Sequence, residues 1–374
     1  MEGKASKELF KDVIDKGLCT LCGGCFGFCP YLACHNGRIV RLHQCTLSEG
    51  QCYQYCPRSY TDLNAINQQV FGVPYEESEI GIVREIFLAR SLDAEIQEKG
   101  QDGGTVTTLL SVALAEGIID GVVETKMDDD KIPHGFIARN REELLACTGV
   151  SYEPSPVLEA LNRLSKESTE RLGIVGLPCH VACVSKMKTY SPENRVNIGN
   201  MKLVIGLFCG WTLAHGFHQF LQERFDLSQA IKFDIPHHPA HTFDVYTQSD
   251  KRSVELDEIK PYINKACTYC LDMTAEFADI SVGSGRAMFR GWNTVIVRTK
   301  VGTELMEIAK ANHALETRPI PVESVENLRH AAINKKKKTL NHIIAETGDI
   351  EDLLYLGLSR HLADKLLGMR NFRR

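Results

Sequence analysis

Cys19-Thr-Leu-Cys22-Gly-Gly-Cys25-Phe-Gly-Phe-Cys29-Pro30 places four thiols in one short run and closes it with proline. Eight of the chain's 14 cysteines lie between Cys19 and Cys56. A cubane iron–sulfur core needs four converging thiolates, and two-residue spacers wrap a loop around one of its faces. In a two-cluster arrangement the fourth cysteine of the run reaches across to the other cluster. Downstream, Cys34, Cys45, Cys52 and Cys56-Pro57 supply the remaining thiols. The expected grouping is Cys19, Cys22, Cys25 and Cys56 around one 4Fe–4S cluster, with Cys29, Cys34, Cys45 and Cys52 around a second. The second set departs from the regular spacing. A zinc-bound or disulfide-bonded segment is the alternative, but zinc sites rarely need thiols this densely placed ahead of a proline.

The 374 residues, 43% hydrophobic and 24% charged, suit two or three domains of an ordinary globular protein. A net charge near −5 gives no general attraction to nucleic acid. No stretch approaches the roughly 20 apolar residues of a membrane helix. The first residues (MEGKASKELFKDVIDKG) are charged and helical in pattern, without a secretory apolar core. A cytoplasmic location is therefore expected, with thiols that serve metals rather than disulfides.

Composition changes after Pro57, and no cysteine recurs until Cys147. Beyond the change, apolar runs alternate with helical periods. Ile80 to Arg90, Gly121 to Thr125, Leu172 to Val175, Lys202 to Cys209 and Thr294 to Thr299 read as strands. Thr105 to Glu116, Val157 to Leu164 and Phe217 to Phe225 read as helices, and the tail from Glu304 reads as mostly helical, including Ile350 to Leu367. The fold class expected is α+β, close to α/β. A two-cluster ferredoxin-like module (1–60) precedes a linker (61–84), a mixed α/β cofactor domain (85–310) and a helical C-terminal extension (311–374).

Cysteines return at strand ends and in a tight loop: Gly176-Leu-Pro-Cys179, Gly206-Leu-Phe-Cys209 and Cys267-Thr-Tyr-Cys270. These four could hold a third cluster. Equally, Cys179 and Cys209 could be buried structural thiols, which pack like small hydrophobes. Gln101-Asp102-Gly103-Gly104-Thr105-Val106-Thr107 lies between a strand and an apolar helix. Glycines, hydroxyls and free N–H groups at a helix start suit an anion such as a pyrophosphate, although a plain helix cap is the commoner use. The run is not GxGxxG and supports no dinucleotide-fold assignment.

Taken together, residues 80–310 resemble the beta subunits of coenzyme F420-reducing hydrogenases and F420-dependent formate dehydrogenases. The text that carries this is Asp102-Gly-Gly-Thr-Val-Thr, Gly117-Ile-Ile-Asp-Gly121, Gly176-Leu-Pro-Cys179-His180 and Gly206-Leu-Phe-Cys209. It continues from Cys267-Thr-Tyr-Cys270-Leu-Asp272 to Gly283 and through Gly291-Trp292 to Arg298. The resemblance implies FAD at Asp102, Gly103, Gly104, Thr105, Val106, Thr107 and His180, and a 4Fe–4S cluster on Cys179, Cys209, Cys267 and Cys270. It implies electrons passing between that cluster, FAD and a soluble hydride carrier, with F420 foremost and NAD(P)H as an alternative; with the two N-terminal clusters read from spacing, three clusters are expected in all. Two clusters with no substrate pocket of their own need an outside electron partner, so residues 1–60 are expected to dock a redox subunit of hydrogenase, formate dehydrogenase or heterodisulfide-reductase type, or to use soluble ferredoxin instead. A flavin-free electron relay and a flavin reductase acting on an organic substrate are the alternatives.

Two departures stand out. Cys183 occupies a position expected to be small and apolar, so it competes with Cys179 as a ligand. Pro236-His-His-Pro-Ala-His241 offers His237 and His241 at i, i+4, but its prolines favour a solvated or substrate-facing loop. Lys335 to Lys338 reads as a solvated helix face, with an acidic coenzyme tail or a partner protein as the other use.

Overall fold

The computed structural model describes residues 3–368 apart from 77, 166, 191–196, 237–238 and 286. His237 therefore lies outside the described residues. The centre of the molecule is an eight-stranded sheet. Its strands are β1 (Glu85–Ser91), β2 (Gly121–Met127), β3 (Pro133–Ala138), β4 (Leu172–Gly176), β5 (Met201–Leu207), β6 (Ile280–Ser284), β7 (Asn293–Val297) and β8 (Leu315–Pro319). Their order is β8-β1-β7-β6-β5-β4-β2-β3. The four central strands β6, β5, β4 and β2 run parallel, and the strands outside them pair antiparallel.

The helices that matter below are α1 (Leu63–Phe71), α2 (Thr105–Ala115), α3 (Leu158–Arg163), α4 (Pro178–Tyr190), α5 (Gly216–Gln222), α6 (Lys300–Ala311), α7 (Val322–Thr347) and α8 (Arg360–Leu367). Alternation along the strands divides the sheet into two buried faces. Val122, Leu203 and Ile205 join Leu109 and Leu110 of α2 and Leu305 and Met306 of α6. Val123 and Val204 face the other way, toward Val181, Val184 and Met187 of α4. On that second face one apolar core runs from Leu9 and Val13 through Cys22, Phe26 and Ile66 to Leu340 and Leu366. The cysteine-rich segment shares this core with the sheet rather than having its own. Residues 61–84, expected to connect two domains, contribute Leu63 and Ile66 of α1 to it.

The tail differs from the helical reading in two places. Leu315–Pro319 forms edge strand β8 against β1. Helix α7 stops at Thr347 because Gly348 turns left-handed, with φ of 73°. Residues 350–359 are therefore not helical; Asp349 and Asp352 accept from the backbone of Glu351 and Leu354, and Leu356–Gly357 pairs with Thr61–Asp62. Helix α8 begins only where Ser359 caps it. Likewise Ile80 to Arg84 is not strand, because the buried Arg298 guanidinium claims the carbonyls of Ile80 and Ile82.

A small three-stranded antiparallel sheet (Lys232–Asp234, Thr242–Tyr246, Lys251–Glu255) and α5 form a separate apolar cluster around Phe217, Phe233 and Phe243. It is joined to the glycine loop by Gln101, which donates to Asp234, and to Tyr152, whose hydroxyl accepts from the Ile235 N–H at 2.9 Å. Among the described residues no helix is long and apolar enough to cross a membrane.

Candidate functional site

The carboxyl ends of parallel strands expose backbone groups at a crevice, the usual place for a ligand in such sheets. Here a cavity of about 310 Å3 opens at those ends. Glu124 and Thr125 of β2, Val175 and Gly176 of β4, Leu207 of β5 and Val282 to Ser284 of β6 line it. The loop before α2 enters from the side: Asp102, Gly104, Thr105, Val106 and Thr107 are all in its wall. Gly104 precedes α2 in the left-handed region and has no side chain with which to cap the helix, so Asn293 Oδ1 takes the first N–H instead. First-turn N–H groups so placed suit a phosphate.

The loop glycines serve its packing. An added Cβ on Gly104 would meet Ile96 Cγ2 at 2.7 Å, and one on Gly103 would meet Asn293 Oδ1 at 2.8 Å and Ala89 O at 2.9 Å. The Gly103 carbonyl accepts from Ser91 N at 2.7 Å, tying the loop to the end of β1. Thr105 is buried, its hydroxyl donating to Ala89 O at 3.1 Å and its N–H to Asn293 Oδ1 at 3.2 Å. Asn293, at the start of β7, thus organises the corner, which periodicity in the sequence does not reveal. His180 also lines the cavity, with both ring nitrogens engaged: Nδ1 accepts from Leu177 N at 3.1 Å and Nε2 faces Ser155 O at 3.1 Å. Burial lowers its pKa to about 4, so the ring is neutral.

All described cysteines are free thiols. Among the described residues no group of three or more His, Cys, Asp or Glu is placed to hold a single metal ion. Their mutual influence nevertheless sorts the thiols into neighbourhoods. Burial, then Cys19, Cys22, Cys56 and Cys52, drives the Cys25 thiol far up. Burial and Cys56 do the same to Cys19. Cys52 is pushed up to about 12 by burial and then by Cys29 and Cys45. Cys34, on the strand Leu32–His35, is raised by burial and by the Glu159 carboxylate, and it acts in turn on Cys19. Helix α3 pins the Cys19 to Cys29 loop: Asn162 Nδ2 donates to Gly23 O at 3.0 Å and to Phe26 O at 2.7 Å.

Cys179, Cys209, Cys267 and Cys270 form another neighbourhood. Burial raises Cys179 far above the ordinary thiol range, followed by Cys22, Cys209 and Cys270. Cys209 is pushed up to about 12 by burial, against the pull of Lys335. Cys270 ends below the ordinary value: burial pushes it up, but the Lys335 ammonium and Arg58 guanidinium outweigh that. The Cys267 thiolate position accepts from Thr212 N at 3.3 Å. Cys183 lies elsewhere. It is fully buried against Cys22, and its Sγ sits 2.2 Å from where a Gly24 Cβ would be. Hydrogen bonding from Cys183 draws Cys22 down to about 7.

Against the expectation of a solvated face, two lysines of the Lys335 to Lys338 run turn inward. Lys335 is half-buried and donates to Cys209 O at 2.8 Å, while Lys336 is fully buried on Glu276 Oε1 at 2.6 Å. Helix α7 rotates these two neighbours inward against the Cys267–Cys270 loop, and Lys338 is the one left exposed. Arg58 is the second cation at this place. It donates to the Tyr355 hydroxyl, which donates onward to Tyr269 O at 2.6 Å. Lys186 is buried and donates to Cys56 O at 2.7 Å, Ser59 Oγ at 2.8 Å and Tyr60 O at 2.8 Å. Buried or half-buried cations beside thiols stabilise negative charge on sulfur. Sequence reading missed Arg58, Lys186, Glu124 and Asn293 and misread Lys335 as solvated, since each gains its role only from strands and helices distant in the chain.

The family model "Coenzyme F420 hydrogenase/dehydrogenase, beta subunit N-term" matches residues 86–162, and its C-terminal counterpart matches residues 169–323. The coenzyme F420 hydrogenase subunit beta of Methanothermobacter thermautotrophicus is 35% identical over 275 residues, covering 71% of this chain and 96% of that protein. The coenzyme F420-dependent sulfite reductase of Methanocaldococcus jannaschii is 28% identical over 342 residues, covering 87% of this chain and 51% of that protein. A chain from the xenon-derivatised F420-reducing [NiFe] hydrogenase complex of Methanosarcina barkeri superposes with a TM-score of 0.65 at 31% identity, covering 73% of this chain and 96% of that one. The family models leave the Cys19 to Cys56 segment outside their match. The chain belongs to the coenzyme F420 hydrogenase/dehydrogenase beta subunit family and is an oxidoreductase of that kind.

Proposed function

We propose that the chain passes electrons between iron–sulfur clusters, FAD and a soluble hydride carrier, F420 foremost, within a larger redox assembly. The observation that carries this reading is helix α4. His180 lines the strand-end cavity, Cys179 lies among Cys209 and Cys270, and Cys183 lies against Cys22. One rigid element therefore borders the cavity and both kinds of thiol neighbourhood. Short separations through packed protein are what sequential electron transfer needs.

The residues present fit the groups. The first turn of α2 beyond Thr105, whose own N–H is taken by Asn293, and the Thr107 hydroxyl suit the FAD pyrophosphate, and the strand ends leave room for a ring system. Buried thiols in mutual repulsion, faced by Arg58, Lys186 and Lys335, suit clusters that release their protons on binding. Three clusters are assigned: Cys19, Cys22, Cys25 and Cys56; Cys29, Cys34, Cys45 and Cys52; and Cys179, Cys209, Cys267 and Cys270. A bound flavin accepts hydride and releases single electrons, joining the two modes of transfer. The chain's own residues hold these groups in line, exclude water from the thiol sites and set local charge. The segment 1–60 is the proposed docking face for a partner redox subunit.

Iron, sulfide and flavin counts on the anaerobically purified chain test this, together with oxidation of reduced F420, NADH, NADPH and ferredoxin. About twelve irons and one FAD are expected from three such clusters. Cys179→Ala should lose about four irons, and Cys183→Ala should lose none. A chain without flavin would instead be a one-electron relay.

A further inference from the structure

We propose that Glu124 is the residue that holds the proton exchanged with the redox group bound in the strand-end cavity, with Cys147 as its positioning partner. This rests on the reading of the cavity as a flavin site. Glu124 lies on β2, lines the cavity, and is 8% exposed. Its Oε1 is buried with no hydrogen-bond partner in the protein. Its carboxyl is hydrogen bonded to the Cys147 thiol, which lines the same cavity.

Structural carboxylates of this protein look different. Asp279 accepts from Val204 N at 2.8 Å and from the Thr299 hydroxyl, and Asp272 accepts from Thr274 N and Glu276 N. An orphaned buried carboxyl oxygen is costly unless something else satisfies it. The cavity is where a ligand would do so. No cation acts on Glu124; burial dominates and lifts it to about 8, with Cys147 pulling slightly the other way. A carboxylic acid near neutrality donates to a ring acceptor and exchanges its proton in either direction.

Other titratable groups near the cavity are less suited. His180 has both ring nitrogens engaged and is neutral. Glu153 is paired with His218 Nδ1 at 3.2 Å. Asp102 stands in the glycine loop, Lys126 and Glu143 act on Cys147, and His134 lies opposite Lys126 on β3. Among the described acidic side chains of this wall, Glu124 is the one with a buried, unmet oxygen; Ser155 Oγ and Gln101 Oε1 are also unmet there but carry no acidic proton.

The proton balance is simple. In the direction that makes hydride, two electrons arrive singly from the iron–sulfur donor and one proton must join them. The Glu124 carboxylic acid gives up that proton, becomes carboxylate, and regains one from water. In reverse, the carrier's hydride leaves two electrons for the clusters, and its proton returns to the Glu124 carboxylate.

Reduced-minus-oxidised infrared difference spectra of the flavin-loaded chain test this. A carboxylic acid C=O band is expected, shifted by 13C-glutamate labelling and absent in Glu124→Gln. Reoxidation of the reduced flavin by a one-electron acceptor, the step that releases the proton, should slow about a hundredfold in that variant and lose its pH inflection. Cys147→Ala retains the carboxyl but removes the partner that lowers it, so the inflection should move to higher pH. A loaded wild type without such a band, or a band that survives in Glu124→Gln, overturns the proposal. If Glu124→Gln loads no flavin, the Cys147→Ala inflection decides, and an unmoved one overturns it. A wild type that loads no flavin overturns the cavity reading itself, and this proposal with it.

Discussion

Lys335 Nζ donates to the carbonyl oxygen of Cys209 at 2.8 Å, so a helix of the C-terminal extension places a cation over thiols at the end of β5. Lys335→Met should leave Cys209 and Cys270 harder to ionise. In the metal-free chain their alkylation at neutral pH should slow several-fold, with Lys335→Arg close to wild type. In the loaded chain the reduction potential of this site should fall, because losing positive charge favours the less negative, oxidised state. Unchanged alkylation and potential would remove the cation from the site's chemistry.

Lys336, one residue on, does something different. It is sealed between Glu276, Tyr75 and Ser78 O, holding α7 against the loop after Cys270. Lys336→Met strands Glu276 as an unpaired buried acid and should cost about 3–5 kcal/mol. Adding Glu276→Gln should recover part of that. Denaturant titration measures both, and equal losses in the single and double variants would contradict the pairing.

His180 predicts a pH dependence. Its folded pKa, about 4, lies below the ordinary 6.5. Between those values the unfolded state binds the proton and the folded state does not, so stability falls as pH drops through that window. The full effect is about 3 kcal/mol. Comparing wild type with His180→Gln across the window checks it; parallel curves would mean that His180 is not the group responsible.

Gly104 has φ of 67° and its absent Cβ points at Ile96. Gly104→Ala should cost about 1–2 kcal/mol from the left-handed backbone alone. Gly104→Val should also displace the loop and release FAD while the iron content persists. Shortening the neighbour, as in Ile96→Ala with Gly104→Ala, should relieve the contact but not the backbone cost. Stoichiometric FAD in Gly104→Val would move the pyrophosphate site elsewhere.

Much of this protein is legible in residue order because the relevant physics is local. Four cysteines within one loop give, by spacing alone, the expectation of a metal-binding chemistry on which the proposed clusters rest. The apolar runs at Leu172–Gly176 and Met201–Leu207 declare buried strands by composition, and Thr105–Ala115 declares its helix by period. What the sequence could not decide is set by long-range packing. Helix α4 brings the cysteine-rich segment and the strand-end thiols together: Cys183 lies against Cys22, and Cys179 lies between Cys22 and the pair Cys209 and Cys270. Lys335 and Lys336 look like surface charges in a run of four, yet the rotation of α7 buries one beside thiols and the other on Glu276. The tail beyond Thr347 reads as helix until Gly348 and two aspartates end it and Leu356–Gly357 finds a strand partner near residue 61. Burial and charge at a site depend on what folds over it, and only the tertiary structure brings residues 58, 124, 186, 293 and 335 to the places where they act.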